Sequence, residues 1–184
     1  MQEVKGSVLK ARMAFVEQHA GSDGLRKVLA ALADDDRAAL KTVVGVGWYP
    51  FDLGKRLDDA IVQVLGGGQI EYFERLGASS AATNLTGPHK AYLTPGDPHA
   101  FLRYTPKIYD SYYRTGHRVY EKTGEHSALL TTHDAETFSA ADCRTVVGWY
   151  RKALEMCGCT RVSVVEEECR ARGGRVCRYR LSWT

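Results

Sequence analysis

No apolar run in the 184-residue chain approaches the ~20 residues of a membrane span. The first residues, MQEVKGSVLK, lack the basic-then-apolar layout of a secretory signal, so the cytoplasm is the expected compartment. There is no low-complexity tract and no internal repeat, which sets aside fibrous and solenoid architectures. Neither sign of charge dominates: 25 Lys and Arg against 22 Asp and Glu leave a net +3. The one basic cluster is Arg161, Arg170, Arg172, Arg175, Arg178 and Arg180, beside Glu166, Glu167 and Glu168. It reads as a solvated hairpin face, and nucleic acid is not expected as a partner. Catalytic patterns are missing too. No Ser–His–Asp order has supporting turns, and no pair of carboxylates has a setting for acid–base work. The three glycines of LGGGQIEYF follow a helix, so they read as a helix stop and not as a phosphate cradle. An enzyme is therefore not expected.

With 44% hydrophobic and 26% charged residues, the chain can bury a substantial core as one domain over residues 1–184. VKGSVLKARMAFVEQHAG predicts a short strand and a helix stopped at Gly21, followed by a helical stretch with Leu25, Val28, Leu29 and Leu32 on one stripe. GVGWYPFDL is a break. FDLGKRLDDAIVQVLGGG predicts a helix capped by Asp52, with Leu57, Ile61, Val64 and Leu65 inward and Gly66 to Gly68 ending it. IEYFERLGASSAATNL continues as helix into a loop holding three of the five prolines. AFLRYTPKIYDSYYRTG is tyrosine-rich helix bent at Pro106. Beyond residue 116 the pattern turns to strands. HRVYEKTGEHSALLTTHD predicts a hairpin turning at Lys122–Gly124. SAADCRTVVGWYRKALEMCG predicts a helix with Ser139 as its cap, Gly158 past its end, and one stripe from Cys143 to Cys157 facing the core. Two closing strands flank RARGG. The expected class is α+β: a helical N-terminal half packed on an antiparallel sheet made of two hairpins flanking a long helix.

Cysteine is scarce and odd in number: Cys143, Cys157, Cys159, Cys169 and Cys177. Without a secretory signal this points to reduced thiols. Pivoting the last hairpin about Gly173 sets Cys169 opposite Cys177, Glu167 opposite Tyr179 and Val165 opposite Leu181. Cys177, Tyr179, Leu181 and Trp183 then face the core, with Arg178 and Arg180 outward near Glu166 and Glu168. The inward cysteines can be buried thiols or metal ligands, and a disulfide would need strain and an oxidising compartment. Cys143 and Cys157 lie about 21 Å apart along their helix at ~1.5 Å per residue, so they cannot share one ion.

The segment GWYRKALEMCGCTRVSVVEEECRARGGRVCRYRLSW resembles the end of the 4-vinyl reductase domain, where a helix leads to a strand ending in Cys, a Gly-bearing turn and a C-x-[FY] motif. That superfamily also holds haem-based nitric-oxide-binding domains and subunits of the Golgi transport tether, and KGSVLKARMAFVEQHAG is similar to the opening of its haem branch. The likeness is nearest to single-domain members found in myxobacteria. In zinc-containing relatives that sense aromatic compounds, the metal is held by an upstream Cys, a Glu and two further Cys. The resemblance therefore implies zinc held by Cys143, Glu166, Cys169 and Cys177. A regular strand would turn Glu166 to solvent, so this set needs a bulge near Glu168; otherwise Glu167 is the better donor, or the site is empty. The haem carry-over fails, and no haem is expected. The proximal-histidine position after Phe101 and Leu102 is Tyr109, and LLTTHDAETFS lacks the Tyr–Ser–Arg signature for the haem propionates.

The expected function is a non-catalytic sensor or binding module for a small apolar or aromatic ligand. Its pocket would be lined by Trp48, Tyr49, Phe101, Tyr109, Tyr112, Tyr113 and Trp149. Output would pass through a homodimer or a partner protein. The alternative is an adaptor without ligand, as in the transport-tether relatives.

Overall fold

The computed structural model describes residues 2–184. Strand β1 (Glu3–Lys5) pairs antiparallel with β2 (Trp48–Pro50), and between them run α1 (Gly6–Ala30) and α2 (Asp34–Lys41). Then come α3 (Phe51–Gly66), α4 (Glu71–Thr86) and two short helices, α5 (Pro98–Leu102) and α6 (Thr105–Asp110). The second half is β3 (His117–Gly124), β4 (Ser127–His133), α7 (Ala140–Met156), β5 (Ser163–Glu168) and β6 (Cys177–Ser182). The four strands form one antiparallel sheet in the order β3-β4-β6-β5. The fold is α+β, as its sequence pattern predicts. No described helix is long and apolar enough to cross a membrane.

Local rules account for most of these elements. Ser139 caps α7 by accepting the Asp142 N–H at 2.9 Å. Gly67, at φ 58°, ends α3, and Gly158, at φ 94°, follows α7. Pro106 starts α6 and separates it from α5. Gly21, at φ 65°, ends the first helical stretch of α1 as expected, and a second runs on to Ala30. Other expectations need correction. Asp52 is not the cap of α3: Pro50 holds that position without a side-chain bond. The inward face of α3 is Leu57, Asp58, Ile61 and Val62, whereas Val64 and Leu65 are half-buried. Asp58 takes an inward place because Arg12 of α1 neutralises it. The first hairpin turns two residues late, as β3 runs on to Gly124 through a bulge after Lys122.

Two apolar cores result. One holds α1, α3 and the start of α4, around Leu9, Leu57, Ile61 and Leu76. The other lies between α7 and the sheet, around Leu130, Tyr150, Leu154, Tyr179 and Leu181. Helices α4 and α7 join them at backbone contact. A Cβ on Gly77 would overlap the Thr145 carbonyl, and one on Gly148 would overlap that of Glu74, so only glycine permits this approach.

The closing hairpin departs from the symmetric register. Glu168 faces Arg178, but the next pair is Glu166 with Tyr179, then Val165 with Arg180 and Val164 with Leu181. One extra residue, Glu167, sits as a bulge and shifts every upstream pair by one. Val165 therefore turns to solvent, and Val164 is buried in its place.

Candidate functional site

The bulge has a chemical consequence. It swings Glu166 inward until its side chain is 4% exposed, beside three cysteines that converge from separate elements. Cys143 comes from the first turn of α7, Cys169 follows β5, and Cys177 opens β6. The Cys143 sulfur lies 3.7 Å from that of Cys177 and 3.5 Å from that of Cys169. A tetrahedral zinc ion with Zn–S bonds of ≈ 2.3 Å needs sulfurs about 3.8 Å apart. The thiols thus already stand at nearly the spacing of a metal site. Glu166 Oε1 is buried without any hydrogen-bond partner, while Oε2 pairs with Arg172.

The electrostatics agree. The Cys143 thiol donates to Cys177, which lowers the pKa of Cys177, and the Arg170 N–H donates to the same sulfur at 3.5 Å. That bond and burial push Cys143 up. Burial, with the Glu166 carboxylate adding, pushes Cys169 up. One sulfur is therefore primed as thiolate and two are held as thiols. A cation in their midst would reverse the latter. Cys157 and Cys159 are not part of this cluster, and Glu166, although buried next to it, does not fall within the 4.8 Å that gathers the three sulfurs.

A narrow gap lined by Cys143, Cys177, Tyr109, Tyr113 and Arg118 connects the thiols to a larger cleft. That cleft measures about 580 Å³ including its open mouth, and lies where α1, α4, α6, α7 and β3 meet. Tyr109, Tyr112, Tyr113 and Trp149 line it. Phe101 does not: it is fully buried behind Trp149, ring centroids 6.3 Å apart. Trp48 and Tyr49 are corrections of a different kind, because β2 carries them away from the cleft. Trp48 is held between Lys5 and Arg114, with the cations 4.4 and 4.5 Å from its ring. Tyr49 packs on Gly6 and Gly47, and its hydroxyl accepts the Val44 N–H. Both aromatics serve the β1–β2 ribbon.

The cleft's polar groups were not foreseen. Arg12 reaches it from α1, bonded to Asp58 at 2.7 Å and also to Ser80. Arg118 reaches it from β3, donating to Thr132 Oγ1 at 3.0 Å and Tyr150 Oη at 2.8 Å. Both positions carried a readable sign. Arg12 falls on the stripe of Leu9, Phe15 and Val16, and Arg118 takes the inward phase of its strand while Val119 points out, 42% exposed. Nearby, Tyr113 donates to Asp142 Oδ1 at 3.2 Å. Burial, reinforced by Asp58 and opposed by Arg12, lifts Asp142 to about 6.

With this geometry in view, the family match is informative. The family described as "Protein of unknown function (DUF2378)" matches residues 60–184, which include α7, the whole sheet and all three clustered cysteines. The chain belongs to that family. No curated protein matches it. Among solved structures, it is similar to a mutant of the unliganded Fe(II) H-NOX protein from K. algicida, at 13% identity and TM-score 0.75, covering 98% of this chain and 96% of that one. It is also similar to a T. tengcongensis H-NOX mutant, at 12% identity and TM-score 0.69, over 98% and 97%. A third, from work on haem distortion in the H-NOX family, is 12% identical with TM-score 0.71, over 98% and 95%. At these identities the likeness establishes a shared fold.

Proposed function

We propose that this DUF2378 chain is a non-catalytic small-molecule sensor or binding module, related to the 4-vinyl reductase group, with the cleft as its ligand site and a zinc clasp beneath it. The observation that carries the reading is the cleft itself. It is a partly open concavity lined by four tyrosines and a tryptophan at the junction of two cores, apolar walls with a few convergent polar groups. A fold that resembles H-NOX proteins over nearly its whole length supports it.

Cys143, Cys169, Cys177 and the free oxygen of Glu166 would hold the zinc. Bound there, the ion would tie the helix to both strands of the closing hairpin, and Arg172 would keep the Glu166 carboxylate oriented. Its role is structural, since four protein donors leave no open position for chemistry.

Haem is not part of this reading. Among the described residues no histidine lines the cleft. Tyr109, at the proximal position, donates its hydroxyl to the Thr115 carbonyl at 2.7 Å. Burial pushes its phenol up to about 12.

Metal analysis of protein purified without chelator tests the clasp. About one zinc per chain is expected, lost in Cys169→Ser, Cys177→Ser together with a fall in Tm. Metal-free wild-type protein with the Tm of that variant would remove the clasp. Mass spectrometry of the native protein tests the cleft, where a co-purified small molecule displaced by Trp149→Ala is expected. A chain that carries nothing and shows no thermal shift with any aromatic or aliphatic compound would remove the binding reading.

A further inference from the structure

Arg118 is 91% buried, on the complement of its 9% exposure, and its two hydrogen bonds both go to neutral hydroxyls. No carboxylate pairs with it or lines the cleft among the described residues. The rings of Tyr109 and Tyr150 lie 4.9 and 5.4 Å from its guanidinium carbon, which soften the cost of burying the charge but do not cancel it. A guanidinium stays protonated at any ordinary pH, so the charge is permanent. The same cleft holds a second unanswered group: the Tyr112 hydroxyl is buried with no hydrogen-bond partner. Buried polar groups are nearly always paired, and here an unpaired hydroxyl and a cation bonded only to neutral partners line a single apolar concavity.

We infer that the ligand of this cleft is an organic monocarboxylate with an apolar body, its carboxylate received by Arg118 and Tyr112 and its body by Val146, Ile108 and Trp149. The inference rests on the binding-module reading and narrows it to a class. Charge disfavours phosphate: Arg118 has no carboxylate bonded to it, but the buried Asp142 already lies within its field, so a monoanion suits the cleft better than a dianion. Arg12 adds nothing to this balance, since Asp58 already neutralises it.

The test is calorimetric titration with 3-phenylpropionate and octanoate, each against its primary amide. Wild-type protein should bind the acids at least about tenfold more tightly than the amides, a difference of ~1.4 kcal/mol. Arg118→Met should abolish that preference, and Arg118→Lys should keep part of it. Tyr112→Phe is the control against misfolding: it should leave Tm unchanged or raised, because an unpaired hydroxyl is removed, yet weaken the acids by roughly three- to tenfold. Amides that bind wild-type protein as tightly as the acids would overturn the carboxylate assignment and leave the binding site standing. Failure of all four compounds to bind would overturn the assignment and count against the cleft as a ligand site.

Discussion

Two buried arginines border the same cleft under opposite conditions. On the α1 side, Arg12 is bonded to Asp58 and Ser80 and to the Leu76 carbonyl, so its charge and donors are answered within the protein. On the β3 side, Arg118 has hydroxyls and tyrosine faces but no anion. The first arrangement makes sense as structure: it ties α1 to α3 and α4 across the helical core. The second leaves a cost unrelieved in the folded protein, and such costs concentrate at sites with work to do. The comparison separates residues that hold the cleft from those that face what enters it.

The comparison breaks most sharply at Asp58. Asp58→Ala should turn Arg12 into a second unanswered cation and cost about 3–5 kcal/mol in urea unfolding, a fall in Tm of about 10 °C at this chain length. Gly77→Ala comes next. Its Cβ would meet the Thr145 carbonyl and push α4 off α7, costing about 1–3 kcal/mol and deforming the cleft for any ligand. Replacing the α1–α3 pair together, Arg12→Met with Asp58→Leu, should stay within about 1 kcal/mol of wild type, because a buried pair exchanged for apolar side chains is often close to neutral. Arg118→Met should be equally mild in ligand-free protein, where lost hydroxyl bonds and a relieved charge offset within about 1 kcal/mol. A loss of 3 kcal/mol there would make Arg118 another structural residue like Arg12.

Much of this was legible in the sequence. Period-two alternation brought Cys177, Tyr179 and Leu181 inward, and the 3–4 spacing of α7 brought Cys143 to meet them. Tyr109 and Trp149 reach the cleft from α6 and α7, and Tyr112 and Tyr113 from the turn that follows α6. The bulge at Glu167 was signalled only by the resemblance, whose ligand set required one near Glu168; three consecutive glutamates carry no alternation of their own to mark where a residue is inserted. Trp48 and Tyr49 were misplaced for a different reason. Aromatic side chains suit a pocket or a ribbon equally, and only the β1–β2 pairing decides between them. The buried arginines went unread because charge normally signals a surface, and what overrides that rule is a partner distant in sequence, such as Asp58 for Arg12.

The central claim is that 3-phenylpropionate or a similar acid enters this cleft and meets Arg118. The most direct measurement is an NMR titration following the Arg118 Nε–H and Trp149 indole N–H signals. The account predicts saturable shifts of both in wild-type protein, with the Trp149 response surviving for the amide and the Arg118 response confined to the acid. Shifts that map to the exposed arginines of the closing hairpin, with Arg118 and Trp149 unmoved, would contradict it.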